Sequence, residues 1–282
     1  MSIHSHLRSW GFHYVRKLGE GTTSEVSHYR GNGFDSALKV SKVGYSTCLY
    51  NEYCLLKSML EHGCLLPSII DAFSMESKSF AFAIEYYPMT LLKYISSIEE
   101  KKYKLVFAQQ ICQALEHIHD YGIVHCDLKP ANIVVDINKI EARLIDFGMA
   151  QVKNTNISVE VVTLWYRPIE LLLGDTFITT AVDMWSFGCI CYELFTNKHL
   201  FCANTESDMI ISLYKFFGTP EEDSYLAKLP NFSKDHPKIQ VLEVPDPQNR
   251  LEKTMRRCLR REPEKRISAK LALSILGIPV SI

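Results

Sequence analysis

His125-Cys126-Asp127-Leu128-Lys129-Pro130-Ala131-Asn132, with Asp146-Phe147-Gly148 nineteen residues beyond its aspartate, is the stretch that decides how this chain is read. It gathers two carboxylates, a lysine and an amide into a short span. Phosphoryl transfer asks a protein for positioning and charge rather than covalent chemistry. One acid takes or steers the proton of an acceptor hydroxyl, and a second acid, with an amide side chain, holds magnesium against the nucleotide phosphates. Ile123-Val124, Asn132-Ile133-Val134-Val135 and Arg143-Leu144-Ile145 are short apolar pieces around these groups, so the pattern predicts short strands and a hairpin bracketing them.

Upstream lies Gly19-Glu20-Gly21-Thr22-Thr23-Ser24-Glu25-Val26. Two glycines let backbone N–H groups approach phosphate oxygens without a Cβ in the way, although a plain turn between strands explains the pattern equally well. Lys39 follows inside the apolar run Ala37-Leu38-Lys39-Val40, where a lysine ordinarily belongs at an exposed edge. Glu52 is its natural partner. Leu49, Leu56 and Leu60, with Tyr53 and Met59, fall on one helical stripe, and Glu52 lies one turn from both Leu49 and Leu56. A carboxylate directed inward is costly unless a cation meets it. Pairing with Lys39 satisfies both charges and leaves the ammonium pointing at the α- and β-phosphates.

The rest of the chain divides at Tyr87-Pro88. Before it, Tyr14-Val15-Arg16-Lys17-Leu18, Ala37 to Val40 and Phe80 to Ile84 read as strands. After it, Leu105 to His119 is an amphipathic helix with Ala108, Ile111, Leu115 and Ile118 on one stripe. The segment from Asp183 to Ile190 begins a helix that is apolar all round, which implies burial. Phe217 to Pro247 reads as an irregular insertion, followed by helical stretches at Leu251–Leu259 and Ser268–Leu276.

Composition narrows the function classes. The 282 residues are 47% hydrophobic, which excludes a disordered chain, and 31 basic against 32 acidic side chains show no basic stripe for nucleic acid. Nine cysteines are scattered without a CxxC pair, so reduced thiols are expected rather than a zinc knuckle. Met1 to Trp10 has no apolar core and no run reaches membrane length. The expectation is an intracellular protein, of nucleus or cytoplasm, with no membrane partner.

With these motifs in this order, the chain resembles the eukaryotic protein kinases over roughly residues 12 to 276, and most of all the cyclin-dependent kinases and their neighbours. Val161-Val162-Thr163-Leu164-Trp165-Tyr166-Arg167 matches the cyclin-dependent kinase substrate segment residue for residue. Gly218-Thr219-Pro220 opens the insertion of that group, and Arg266-Ile267-Ser268-Ala269 matches its last helical subdomain. The resemblance implies an α+β bilobal protein kinase fold. An antiparallel β N-lobe with one key helix spans residues 1–87, and a mainly helical C-lobe spans 88–282.

The resemblance also implies ATP and Mg2+ as cofactors, and it assigns roles. Asp127 is catalytic base or hydroxyl aligner, and Lys129 neutralises charge on the moving γ-phosphoryl group. Asn132 and Asp146 hold magnesium, and Thr163 braces Asp127 and Lys129. Glu170 pairs with Arg266, with Pro168-Ile169 standing where the family has Ala-Pro. Leu18 and the loop from Gly19 to Val26 cover the nucleotide, Val26, Ala37 and Val134 sandwich the purine, Ile84 is the gatekeeper, and Glu85 and Tyr87 form the hinge. For the apolar members, plain core packing is the alternative reading.

Departures from the family are as informative. Three arginines that clamp an activating phosphate are replaced by Asn51, Cys126 and Gln151, while Ser158 occupies the phosphoacceptor position. A phosphate there meets no guanidinium of that set, so activity is expected not to depend on it, with Lys153 as the alternative cation. His-Cys-Asp also occurs in the dual-specificity tyrosine-regulated kinases, the rival subfamily, whose substrate segment does not read Val-Thr-Leu-Trp-Tyr. Only thirteen positions separate Lys39 from Glu52, and the helix lacks the cyclin-binding signature. A cyclin or cyclin-like subunit and a self-sufficient kinase are both open. A pseudokinase scaffold is the other-class alternative, but Lys39, Asp127, Lys129, Asn132 and Asp146 are all present. Finally, Arg167 is expected to capture the carbonyl of Val161. The substrate residue after the phosphoacceptor then loses an acceptor, which costs about 1–3 kcal/mol for any residue but proline. Protein substrates with Ser/Thr-Pro sites are the expectation.

Overall fold

The computed structural model of the protein describes residue 8 and residues 11–31, 33–74, 79–97, 102–157, 161–222, 224–235, 237–240 and 247–278. β1 (His13–Glu20) and β2 (Ser24–Gly31) form a hairpin, and β3 (Phe34–Ser41) runs back beside β2. Helix α1 (Ser46–Glu61) then crosses before β4 (Ile69–Ser74) and β5 (Phe80–Glu85) complete an antiparallel sheet of order β1-β2-β3-β5-β4. Alternation along β3 sorts its side chains. Leu38 is buried with Tyr29, Ala81 and Ala83, so its neighbours Ala37 and Lys39 take the opposite face. α1 buries Leu49, Leu56 and Met59, and the same turn that buries them carries Glu52 inward.

The chain then becomes helical. β6 (Met89–Thr90) leads into α2 (Leu91–Ser96), whose first turn is capped by the Thr90 hydroxyl accepting from the Lys93 N–H at 3.3 Å. α3 (Lys104–Asp120) buries Ala108, Ile111, Leu115 and Ile118 completely, as its stripe predicts. β7 (Ile123–Val124), β8 (Ile133–Asp136) and β9 (Glu141–Leu144) follow, β8 and β9 joining β6 in a three-stranded sheet. β10 (Gln151–Val152) pairs with β7. β11 (Thr155–Asn156) pairs across α4 (Ile169–Leu172) with β12 (Phe177–Ile178).

α5 (Ala181–Thr196) is the central rod of this half. It is buried nearly all round and includes the fully buried Trp185, Phe187 and Ile190. Burying each such side chain is worth roughly 1.5–3 kcal/mol. A Cβ on Gly188 would lie 2.8 Å from the Leu259 side chain, so glycine is what lets the segment after α7 press against α5. α6 (Glu206–Phe217), α7 (Arg250–Cys258) and α8 (Ala269–Leu276) complete the lobe. α7 starts on the Asn249 side chain, which accepts from Glu252 N–H at 2.9 Å, and α8 stops at Gly277 with φ +94°. Between α6 and α7 the described residues hold one short 3-10 turn, Leu226–Lys228, in keeping with an irregular insertion.

All nine cysteines are free. Cys48, Cys54 and Cys202 are exposed and the other six buried. Among the described residues no helix is long and apolar enough to cross a membrane.

Candidate active site

Lys39 stands where β3 meets α1. Its ammonium donates to both Glu52 oxygens at 2.7 and 2.8 Å and to Asp146 Oδ1 at 2.8 Å. Burial alone would lower the lysine pKa, but the two carboxylates outweigh it and hold the ammonium above its usual range. At Asp146 burial pushes the other way, and the Lys39 charge keeps the carboxyl below its ordinary value. Asp146 sits at φ +65°, an uncommon conformation for a residue with a side chain. Behind it Phe147 is buried, its ring 4.8 Å from that of His125.

The second acid is gripped on both oxygens. Asp127 Oδ1 accepts from the Thr163 hydroxyl at 2.7 Å and the Thr163 N–H at 3.2 Å. Its Oδ2 accepts from Lys129 at 2.7 Å and Asn132 Nδ2 at 2.9 Å. Lys129 also donates to Thr163 Oγ1 at 2.8 Å, so lysine, threonine and acid form a closed ring of contacts. Asn132 Nδ2 also donates to the Asp127 carbonyl at 2.9 Å. With the amide nitrogen committed, Oδ1 is the side chain's remaining donor atom toward a cation. Together with the Asp146 carboxylate it offers oxygen ligands, which suit magnesium. Among the described residues no cluster of three or more His, Cys, Asp or Glu forms a metal site by itself.

Asp183 supports this loop from below, and sequence reasoning gave it no part in the site. Fully buried at the start of α5, it accepts from His119 Nε2 at 2.9 Å and from the backbone N–H groups of His125 and Cys126 at 2.8 and 3.0 Å. Cys126 is thereby held at φ +61°. His125 Nε2 donates to the Ile145 carbonyl at 3.0 Å, and its Nδ1 accepts from the Asp127 N–H at 3.3 Å, which fixes one neutral tautomer. The available signal was an aspartate opening an all-apolar helix. Such a carboxylate needs several donors.

Of the residues expected to meet a purine, Ala37 lies opposite both His28 and Ile84 in the sheet, and Val26 lies opposite Lys39. Ala37 is buried and Val26 half-buried. On β8 Val134 stays half-buried between the fully buried Ile133 and Val135. Glu85 closes β5 and is salt-bridged to Lys139 at 2.8 Å. Tyr87 is buried, its hydroxyl between Glu85 Oε2 at 3.4 Å and Glu141 Oε2 at 3.3 Å. The flap is mostly exposed, Leu18 and Thr22 included, with Ser24 buried. Gly21 N–H donates to the Ser24 carbonyl and Lys42 N–H to that of Thr23, at 2.9 and 2.8 Å. Glu20 bridges Lys17 and Lys42 at 2.6 Å each, which pulls its pKa down to about 2, and Glu25 meets Lys17 at 3.2 Å. A Cβ on Gly19 would meet nothing within 4 Å. The protein's own packing therefore does not demand glycine there; an approaching phosphate would.

The substrate segment corrects one expectation. Arg167 Nε donates to the carbonyl of Val162 at 3.0 Å, not to that of Val161. Val162 adopts φ +66°, which turns its carbonyl toward the guanidinium, whereas Val161 is simply buried. Arg167 also pairs with Glu206 of α6. Ser158 lies outside the described residues. Of the three replaced arginines, Asn51 is exposed, while Cys126 is buried with the Gln151 backbone N–H at its sulfur; burial, first of all, raises that thiol far above its ordinary pKa. Lys153 is exposed and donates its N–H to the Gly122 carbonyl at 2.7 Å. Glu170 and Arg266 form a bidentate pair at 2.7 and 2.6 Å in spite of the changed Pro168-Ile169 turn, and Ile169 begins α4 fully buried.

The protein kinase domain family matches residues 12–275. The cyclin-dependent kinase B2-1 of Arabidopsis thaliana is 31% identical over 93% of this chain and 91% of its own length. That of Oryza sativa subsp. japonica is 30% identical over 92% and 87%. Among solved structures, a chain of the CAK complex of Chaetomium thermophilum bound to ATP-gamma-S superposes with a TM-score of 0.80. It is 26% identical and covers 95% of this chain and 91% of its own.

Proposed function

The chain belongs to the protein kinase family, in its cyclin-dependent-kinase-like group, and from that premise we propose that it is a serine/threonine kinase. It transfers the γ-phosphate of ATP to Ser/Thr-Pro sites of proteins and needs no phosphate on its own activation segment. The observation that carries this reading is the Asp127 carboxylate held by Lys129, Asn132 and Thr163, with the Asp146 carboxylate held by Lys39. Asp127 orients the acceptor hydroxyl and receives its proton. Lys129 offsets charge on the transferred group, and Lys39, steadied by Glu52, faces the α- and β-phosphates. Magnesium, when bound at Asn132 and Asp146, neutralises phosphate oxygens. The ATP analogue in the similar CAK structure supports the choice of nucleotide. Phosphate incorporation from ATP by the purified chain, abolished in Asp127→Asn, tests the reading; incorporation that survives the substitution refutes it and leaves the scaffold alternative.

Proline direction is supported by the Arg167–Val162 contact. With that carbonyl occupied, the N–H of an ordinary residue after the phosphoacceptor goes unpaired at a cost of about 1–3 kcal/mol, and proline has no N–H to lose. Equal rates on Ser-Pro and Ser-Ala peptides would count against it. Independence from Ser158 phosphorylation is supported by the buried thiol at Cys126 and by main-chain ties. β10 pairs with β7 and β11 with β12, and Ile157 N–H meets the Thr176 carbonyl at 2.9 Å. Ser158→Ala is expected to keep wild-type turnover, and loss of activity restored by Ser158→Asp would overturn this.

A second reading adds a cyclin-like subunit. The outward face of α1 and its approach expose Val43, Tyr45 and Tyr50, an apolar surface on the element that carries Glu52. A rise in turnover on adding host cyclins supports the subunit; an already full rate of the isolated chain removes it. The free cysteines support a reducing, intracellular setting.

A further inference from the structure

A hinge that reads a purine through its backbone must leave that backbone unpaired, so it has to be fixed by side chains instead. This conflict is visible here. Among the described residues the main-chain groups of Tyr86 and Tyr87 make no hydrogen bond. Tyr87 is anchored downward, its hydroxyl at Glu141 of β9. Tyr86 is anchored upward. Its ring lies flat against that of His28 of β2, with centroids 3.9 Å apart and planes 2° from parallel, and its hydroxyl accepts from Arg16 Nη2 of β1 at 3.2 Å. His28 is itself locked: nearly fully buried, it donates from Nε2 to Asp35 Oδ1 at 2.7 Å, an oxygen that also takes Arg30 Nε at 2.7 Å. In the sheet His28, Ala37 and Ile84 form one row, so the stack abuts the wall assigned to the purine.

We infer that Tyr86 and His28 are a positioning pair for the nucleotide, fixing the hinge backbone and tying it to the two strands that carry the flap. This rests on the kinase reading above. The stack does not touch the acceptor hydroxyl or the transferred phosphate, so its loss weakens ATP binding and leaves the chemical step alone. The same contacts join the hinge to the flap, since Arg16 and His28 belong to the strands on either side of the glycine turn.

Direct titration of a fluorescent ATP analogue, beside steady-state kinetics on the full chain, tests this. Tyr86→Ala and His28→Ala are each expected to raise Kd and KM for ATP by about three- to tenfold, the range of a stacked aromatic pair. The double variant should lose no more than either single one, with kcat and the peptide KM within about twofold of wild type. His28→Phe, which keeps a flat ring, should restore most of the affinity, and Tyr86→Leu, which keeps bulk without the flat stack, should not. Additive losses, or Tyr86→Leu and Tyr86→Ala both binding ATP like wild type, overturn the pair as a positioning device even if the melting temperature falls. A wild-type chain that fails to bind the analogue overturns the kinase reading along with it.

Discussion

Two charged clusters in this molecule are built from similar parts and finished differently. Arg266 and Glu170 are almost wholly withdrawn from solvent, and every N–H of the guanidinium is used. Besides the two carboxylate oxygens it meets the carbonyls of Arg260, Ala181 and Arg261 at 2.8, 3.1 and 3.2 Å, and it lies 4.7 Å over the Trp185 ring. In the other cluster, and among the described residues, Asp146 spends one oxygen on Lys39 and Asn132 spends its side-chain amide nitrogen. Bonding capacity left over on a half-exposed carboxylate leaves room for a ligand, and capacity fully spent in the interior marks a structural fastening. On the proposed function, the same ion-pair chemistry serves binding in one place and architecture in the other.

The largest effect that separates them is on turnover. Asp127→Asn should lower kcat by about 10²–10⁴-fold, the range for a positioned acid or base, with ATP affinity and melting temperature nearly unchanged. A melting shift as large as the rate loss would erase the distinction. Arg266→Met should do the reverse. Stranding the Glu170 carboxylate costs about 3–5 kcal/mol of stability in chemical denaturation, and Glu170→Leu placed with it should recover much of that loss. A double variant no more stable than the single one would show that the pair is more than a fastening.

A smaller effect lies between the two clusters, at Asp183. Burial raises its pKa, but the His119 hydrogen bond and the backbone donors more than offset this, so the folded value falls below the ordinary 3.8. A group with a depressed folded pKa stabilises the protein above its unfolded value, and that contribution is lost as pH falls through the folded one. Acid unfolding of Asp183→Asn should therefore be flatter with pH below about 4 than that of wild type. A variant with the wild-type slope would remove Asp183 from the set of acid-labile supports.

How far the sequence reached follows the same division. The Lys39–Glu52 contact was legible because a lysine inside an apolar strand and a glutamate on an apolar helix face each demand a partner. The Glu170–Arg266 pair was legible only through resemblance, since nothing local links positions 96 residues apart. The Arg167 acceptor was misplaced by one residue, because the left-handed turn at Val162 is a backbone choice that β-branched residues rarely make. Asp183 and the His28–Tyr86 stack escaped for a related reason: both depend on which strands and loops become neighbours, and only the folded chain shows that.

The distribution of thiols has a practical consequence. Cys112, Cys189, Cys191 and Cys258 are buried, and burial, above all, raises their pKa values beyond any range that gives thiolate at neutral pH. A mild alkylating reagent on the native chain should therefore label Cys48, Cys54 and Cys202 quickly and the remaining six only after denaturation. Two of the three lie on α1 and the third just before α6, so this kinase comes with ready attachment points for a spectroscopic ruler spanning its two lobes.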